Sequence, residues 1–377
     1  MRLEADPILQ ELQMKISNTL KRSANVSFEQ VWSELVDLGI PAYSVPVSAD
    51  GYDLGMLVNV MVCEELGKVL FNHLFIDTMI AVDSISLSHD GKQKDFHWEK
   101  LRKIAHGKLL IGTVERLGRI NSVGSSCLMR SAGGWTINGS LGFTTTCKKM
   151  IQELILPLEY EGANMLVIIP VGEEIKFVPY KSITGNSIYE VICEDLNFSD
   201  SNIVVYNQNA NQEIHNRVMA RFKIRQASYL SGITEGALRE TVKYTSSRKQ
   251  FGQSVIENQS VGFRLASLHG RLEAAKLKIQ YAAWLEDERV SSLQHATEAL
   301  AMISELALET TREGVHLHGS FGLTLDAPIQ NYYKIAAIEA VRLGIPLDLW
   351  HEAGTLRINK FKESNQIQFL EYFTPAY

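Results

Sequence analysis

The sequence predicts an α+β protein laid out in three segments: helical, then β, then helical. Three observations predict it. Near the start, apolar residues recur at helical spacing in PILQELQMKISNTL and again in MLVNVMVCEELGKVL. The middle is a series of short β-rich runs, most of them separated by Gly, Asn or Asp turns. In the last third, Val261, Leu265, Leu268, Leu272, Ala275 and Ile279 form one continuous apolar stripe of helical period.

Residues 1–106 are expected to form an N-terminal helical domain. Its two periodic runs are joined by LVDLGIPAYSVPVSADGYDLG, whose Gly39, Pro41, Pro46, Gly51 and Gly55 mark a connecting loop. FNHLFIDTMIAVDSISL reads as a further helix. Residues 107–210 are expected to form a compact β domain, a small barrel or sandwich. Its runs are KLLIGTVE, GGWTINGSLGFTTT, KKMIQELILPL, ANMLVIIPV, KFVPY and NIVVYN. Residues 211–377 return to helix. ALAMISELALETTREGVHLHG begins apolar around its whole circumference, as a helix inside a bundle must be. The tail EAGTLRINKFKESNQIQFLEYF reads as helix again. No internal repeat or low-complexity segment interrupts this order.

With 377 residues, the chain can bury two or three substantial cores. It is 45% hydrophobic and 21% charged, an ordinary globular balance. The net charge of −6, with no basic block, argues against nucleic acid as a partner. Cys63, Cys127, Cys147 and Cys193 are scattered, with no paired spacing, so neither a disulfide framework nor a metal cluster is expected. No apolar run is long enough to span a membrane, and MRLEADPILQELQMK lacks the apolar core of a signal peptide. The expectation is a soluble protein of a reducing, cytoplasmic compartment.

The stretch KYTSSRKQFGQSVIENQ is the chemical landmark. Helical text breaks at Phe251-Gly252 and resumes at Gln259. An arginine forks onto phosphate oxygens, a glycine admits a tight turn, and an exposed aromatic can lie on an adenine. The same residues also suit a plain helix corner with a surface arginine.

RKQFG, Gln259 and the helix that follows resemble the acyl-CoA dehydrogenase family. The resemblance extends to LGIPAYSVP with VCEELGKVL, to GWTINGSLGFTTT, and to HLHGSFGLTLDAPIQNYYK with Pro328 in register. It covers most of the chain, in the family's order. It implies an acyl-CoA dehydrogenase-like fold ending in a four-helix bundle, FAD as cofactor, and a homodimer or homotetramer. Arg248 and Phe251 would then hold the pyrophosphate and adenine of a FAD bound mainly by a neighbouring subunit, with Gln259 in the same corner. His316 and Gly319 fall where the family places Gln and Gly on the pyrophosphate, and an imidazole can still donate there. Thr113 and Val114 fall on the strand that meets the flavin ring. Phe143 and Thr145 fall at the ring-packing aromatic and the threonine beside it, although alternation on a half-buried strand explains them equally.

Two departures concern substrate and proton handling. Where the family carries Glu-Pro-x-x-Gly-Ser-Asp, this chain reads VERLGRINSVGSS. Glu115 remains, Arg116 replaces the proline, and Ser125 is the candidate substitute toward the thioester arm. The acyl donor could therefore ride on a carrier protein in place of free CoA. The family's catalytic glutamate, counted without gaps, falls on Leu343, and its alternative position falls on Phe222. Neither can accept a proton. Glu352, nine residues beyond Leu343 in HEAGT, is the candidate base if a turn is inserted.

The resemblance thus implies an FAD-dependent dehydrogenase of an acyl thioester on CoA or an acyl carrier protein. The divergence favours the carrier-bound form, as in branches that make hydroxymalonyl or aminomalonyl extender units in polyketide or nonribosomal pathways. The electron acceptor is not encoded. Two alternatives stay open. One is a reduced-flavin monooxygenase using His316 or His318. The other is an inactive homologue acting as an assembly subunit. His316 and His318 alone do not make a metal site, because no third ligand is apparent.

Overall fold

The structure is a computed structural model and describes residues 7–22, 26–88, 94–115, 127–131, 133–185, 187–206 and 212–363. The chain opens with five helices: α1 (Pro7–Lys21), α2 (Phe28–Asp37), α3 (Met56–Lys68), α4 (Leu74–Leu87) and α5 (Lys94–Ala105). The loop between α2 and α3 makes two short 3-10 turns at the prolines. Helix α4 has no polar face. It is buried from Leu74 to Ile85, so Asp77 and Asp83 are carried into the interior with it.

Strands follow. β1 (Ile111–Thr113), β4 (Glu153–Tyr160), β5 (Ala163–Pro170) and β8 (Ile203–Tyr206) form one sheet in that order, parallel between β1 and β4 and antiparallel elsewhere. β2 (Cys127–Ser131), β3 (Gly134–Thr144), β7 (Ser187–Phe198) and β6 (Ile175–Lys181) form a second, antiparallel sheet. Two of these strands, β2 and β7, lie outside the β-rich runs read from the sequence. β7 mixes acidic residues among its apolar ones, which masks it, yet it is an inner strand of its sheet.

Among the described residues, one isolated bridge joins the sheets. Just after β1, Glu115 exchanges backbone hydrogen bonds with Phe143 of β3 at 2.8 and 2.7 Å. The pairing of β3 with β7 slips between Ser140 and Gly142, and Gly142 has φ 129°. A Cβ at Gly142 would lie 2.6 Å from the Glu115 carbonyl oxygen, so only glycine permits this approach. Helix α4 docks on the same edge, where the Thr78 hydroxyl pairs with the backbone of Ile111 at 3.2–3.3 Å.

The chain closes with α6 (Gln212–Ser247), a two-residue hairpin of β9 (Lys249–Gln250) and β10 (Gln253–Ser254), α7 (Gln259–Asp287), α8 (Leu293–Leu317), α9 (Ile329–Glu339) and α10 (Pro346–Glu363). The apolar stripe of α7 is buried from Leu265 to Ile279. Helix α6 crosses α3 at glycines on both sides. A Cβ on Gly232 would run into the Glu64 carbonyl, and one on Gly67 into that of Tyr229. No helix among the described residues is long and apolar enough to cross a membrane.

Candidate functional site

The corner after α6 is a β-hairpin loop, where the sequence had indicated only a break between helices. Phe251 (φ 51°) and Gly252 (φ 84°) both sit at positive φ, as a two-residue hairpin loop of primed type requires. An aromatic residue rarely accepts that conformation, and Phe251 is 99% exposed, with nothing beneath it to offset the strain. The Arg248 guanidinium has no hydrogen bond or ion pair among the described residues. Gln259 opens α7 and is exposed.

The turn after α8 meets this corner. Tyr244, in the last turn of α6, accepts the Arg248 N–H at 2.8 Å and stacks on His318 with ring centroids 4.2 Å apart. His318 is buried, with Nδ1 2.6 Å from the Gly314 carbonyl. His316 and Gly319 are exposed, and Gly319 has φ 61° with no atom near its absent Cβ. The structure therefore gathers Arg248, Phe251, His316 and Gly319 at one end of the helical segment.

Thr113, Val114 and Glu115 lie elsewhere, on a cavity of about 300 Å³. Its walls are apolar: Ile80, Ile155, Pro157, Leu166, Met219, Phe222 and Leu343. Its polar lining comes from Thr113, Glu115, Arg342 and Asp348. Phe222 and Leu343, 121 residues apart in sequence, meet here. Thr145 lines a second, smaller cavity of about 120 Å³ with Asn72, His73, Tyr229, Ile338 and Glu339. Phe143 is half-buried, fixed by its bridge to Glu115 and packed edge-on against Tyr180.

A buried ion cluster contributes residues to both cavities. Arg342, in the turn between α9 and α10, donates from Nε to Glu115 Oε1 at 2.6 Å and from Nη2 to Asp77 Oδ1 at 2.8 Å. Asp77 Oδ1 also lies 2.9 Å from His73 Nδ1, and His73 Nε2 lies 2.6 Å from Gln226 Oε1. Gln226 Nε2 donates to the Glu339 carboxylate at 3.1 Å. Burial opposes charge on Asp77, but Arg342, His73 and the Thr113 N–H hold its carboxyl below the usual range. Glu115 has fewer donors. Burial pushes it up to about 7 against the pull of Arg342, and the neighbouring Asp77 adds to the rise. Three atoms here are buried without a hydrogen-bond partner among the described residues: Thr113 Oγ1, Glu115 Oε2 and Arg342 Nη1. Arg342 Nη1 does keep an ionic contact with Glu339 at 3.5 Å.

Glu352 does not line this cavity. It stands on α10 with a side chain 43% exposed and pairs with the buried Lys223, whose Nζ also donates to Thr297 at 2.9 Å. Ser125 and Arg116 lie outside the described residues. The cluster of Asp77, His73, Arg342 and Glu115 was not read from the sequence as a site. One signal was present, because Asp77 and Asp83 interrupt an otherwise apolar helix, and a buried charge demands a partner.

Residues 214–344 match the family model described as "Acyl-CoA dehydrogenase, C-terminal domain". The CarC subunit of the caffeyl-CoA reductase–Etf complex of Acetobacterium woodii is 34% identical over 29% of this chain and 28% of its own length. The chain thus aligns with under a third of that relative. The fold extends further. Butyryl-CoA dehydrogenase from Megasphaera elsdenii superposes with a TM-score of 0.80 at 20% identity, over 95% of this chain and 100% of that one. The prolyl acyl carrier protein oxidase AnaB superposes with a TM-score of 0.76 at 18% identity, over 95% and 99%. Segment 214–344 thus resembles the C-terminal domain of acyl-CoA dehydrogenases, and nearly the whole length shares the fold of the solved acyl-CoA dehydrogenase structures.

Proposed function

We propose that the protein is an FAD-dependent dehydrogenase of an acyl thioester. One observation carries this reading. Phe222 and Leu343, the two positions where the family's carboxylate falls, line a single apolar cavity with Thr113 and Val114. Such a cavity suits an acyl chain, and its few polar groups would fix the thioester end.

Family members bind FAD, and the residues present fit that group. Among the described residues the Arg248 guanidinium has no hydrogen bond or ion pair and the buried Thr113 hydroxyl has no hydrogen-bond partner, while Phe251 is strained and exposed and Gly319 leaves open space beside the backbone. Arg248, Phe251, Gln259, His316 and Gly319 would grip the pyrophosphate and adenine. Thr113, Val114, Phe143 and Thr145 would border the ring. Bound FAD supplies the acceptor for hydride leaving the β-carbon. The chain's own residues seat the acyl group, exclude water from it and handle its α-proton.

We favour a carrier-bound acyl group over free CoA. The text after Glu115 departs from the family's pattern, and AnaB, which shares the fold, acts on a prolyl acyl carrier protein. The monooxygenase alternative has less support, since neither His316 nor His318 lines either cavity.

Anaerobic titration of the purified yellow protein with a panel of acyl-CoA and acyl-carrier thioesters tests the reading. The flavin absorbance should bleach with one class, the carrier-bound thioesters leading. A colourless protein that takes up no FAD would instead favour an inactive assembly subunit.

A further inference from the structure

We propose that Glu115 is the base that removes the α-proton of the acyl thioester. The proposal rests on the dehydrogenase reading and names the residue that reading lacks. Leu343 and Phe222 have no lone pair to offer, so any base must come from another wall of their cavity. Among the described lining residues, the carboxylates are Glu115 and Asp348. Asp348 is half-buried at the start of α10 and already has a partner. Glu115 is buried, with Oε1 held by Arg342 Nε at 2.6 Å and Oε2 without a hydrogen-bond partner among the described residues. A buried carboxylate oxygen without a donor is costly, and on this cavity wall its lone pairs are open to a bound acyl group. The backbone is fixed as well. The bridge to Phe143 and the close approach of Gly142 anchor the Glu115 backbone against β3.

The step balances. The α C–H bond breaks, its proton forms an O–H on Glu115, and its electron pair moves onto the thioester carbonyl as an enolate. Thr113 Oγ1 and Arg342 Nη1, buried donors without hydrogen-bond partners on the same cavity, are available to that oxygen.

The charge environment suits the task. The groups around Glu115 are Asp77 of α4 and His73 just before that helix, Glu339 and Arg342 from the end of α9 and the turn after it, and Asp348 from α10. Burial brings the Glu115 carboxyl to about 7, so it is partly ionised at neutral pH and still basic enough to take a proton.

The test uses the FAD-loaded protein in deuterium oxide with a 3-thia-acyl thioester. This probe has an α-proton but no β-hydrogen, so it can exchange and cannot be oxidised. Mass spectrometry reads α-deuterium uptake, a signal separate from turnover. The wild type should exchange, with a rate that rises through about pH 7. Glu115→Gln should retain FAD and lose exchange by about 100-fold or more, and Glu115→Asp should recover part of it. Glu352→Gln should exchange like the wild type. Exchange by Glu115→Gln at the wild-type rate overturns the proposal while leaving the dehydrogenase reading intact. So does a wild-type rate that is flat from about pH 5.5 to about 8.5, a result that stands even if the glutamine variant fails to fold. A wild type that neither exchanges the probe nor bleaches with any thioester overturns both.

Discussion

Asp83 and Arg225 show what a buried charge requires of its neighbours. Arg225 is fully buried on α6. It reaches Asp83 through both Nη atoms and Asn59 through Nε at 3.0 Å, while Arg221 donates to Asp83 Oδ1 at 2.9 Å. Burial opposes the Asp83 charge, but the two guanidiniums hold its carboxyl below its ordinary 3.8. A depressed native pKa contributes stability above the unfolded value, and that stability is lost as pH falls through the native one. Asp83→Ala should therefore lower stability at neutral pH by about 3–5 kcal/mol, because Arg225 is left buried and unpaired. In thermal unfolding, the gap to the wild type should narrow once pH falls below 3.8. A gap independent of pH would mean that the loss is one of packing. Sequence could flag Asp77 and Asp83 as charges in an apolar helix. It could not say that Arg342 and Arg225 answer them, since those partners lie 265 and 142 residues away.

Glycines decide the elements that matter most. At Gly67 and Gly232, α3 and α6 touch backbone to backbone, and Gly142 lets β3 reach Glu115. A side chain at either place must push backbone aside. Gly232→Ala should cost about 1–3 kcal/mol in denaturant unfolding, while Gly142→Ala should displace Glu115 and slow α-proton exchange. Normal exchange in a well-folded Gly142→Ala protein would show that the bridge does not position Glu115. The helices were legible from their period, because one buried face leaves a 3.6-residue trace. The stripe of α7 is an example. β7 left no such trace, since its alternation is broken by Glu190, Glu194 and Asp195 and its partners were invisible. The hairpin at Phe251-Gly252 was equally hidden, because a two-residue strand has no periodicity to read.

At the scale of the whole molecule, Phe251 stands exposed in the corner with Arg248, and Leu323 and Leu325 are exposed in the turn that follows His316 and Gly319. If that corner holds a neighbour's FAD, the protein should elute as a dimer or larger, and Arg248→Ala with Phe251→Asp should release FAD on gel filtration. A monomer that retains its flavin would overturn the shared site. The sequence by itself determined the α–β–α order and the corner at RKQFG, because periodicity and local turn chemistry are written along the chain. It also located the two positions from which the expected carboxylate is missing. Only the tertiary structure decided that Phe222 and Leu343 share one cavity, that Glu352 is bound to Lys223 away from it, and that Glu115 stands there with one oxygen unpaired among the described residues. Those facts depend on contacts between residues more than one hundred positions apart, and only the packing of α4, α6 and the α9–α10 turn against β1 brings them together.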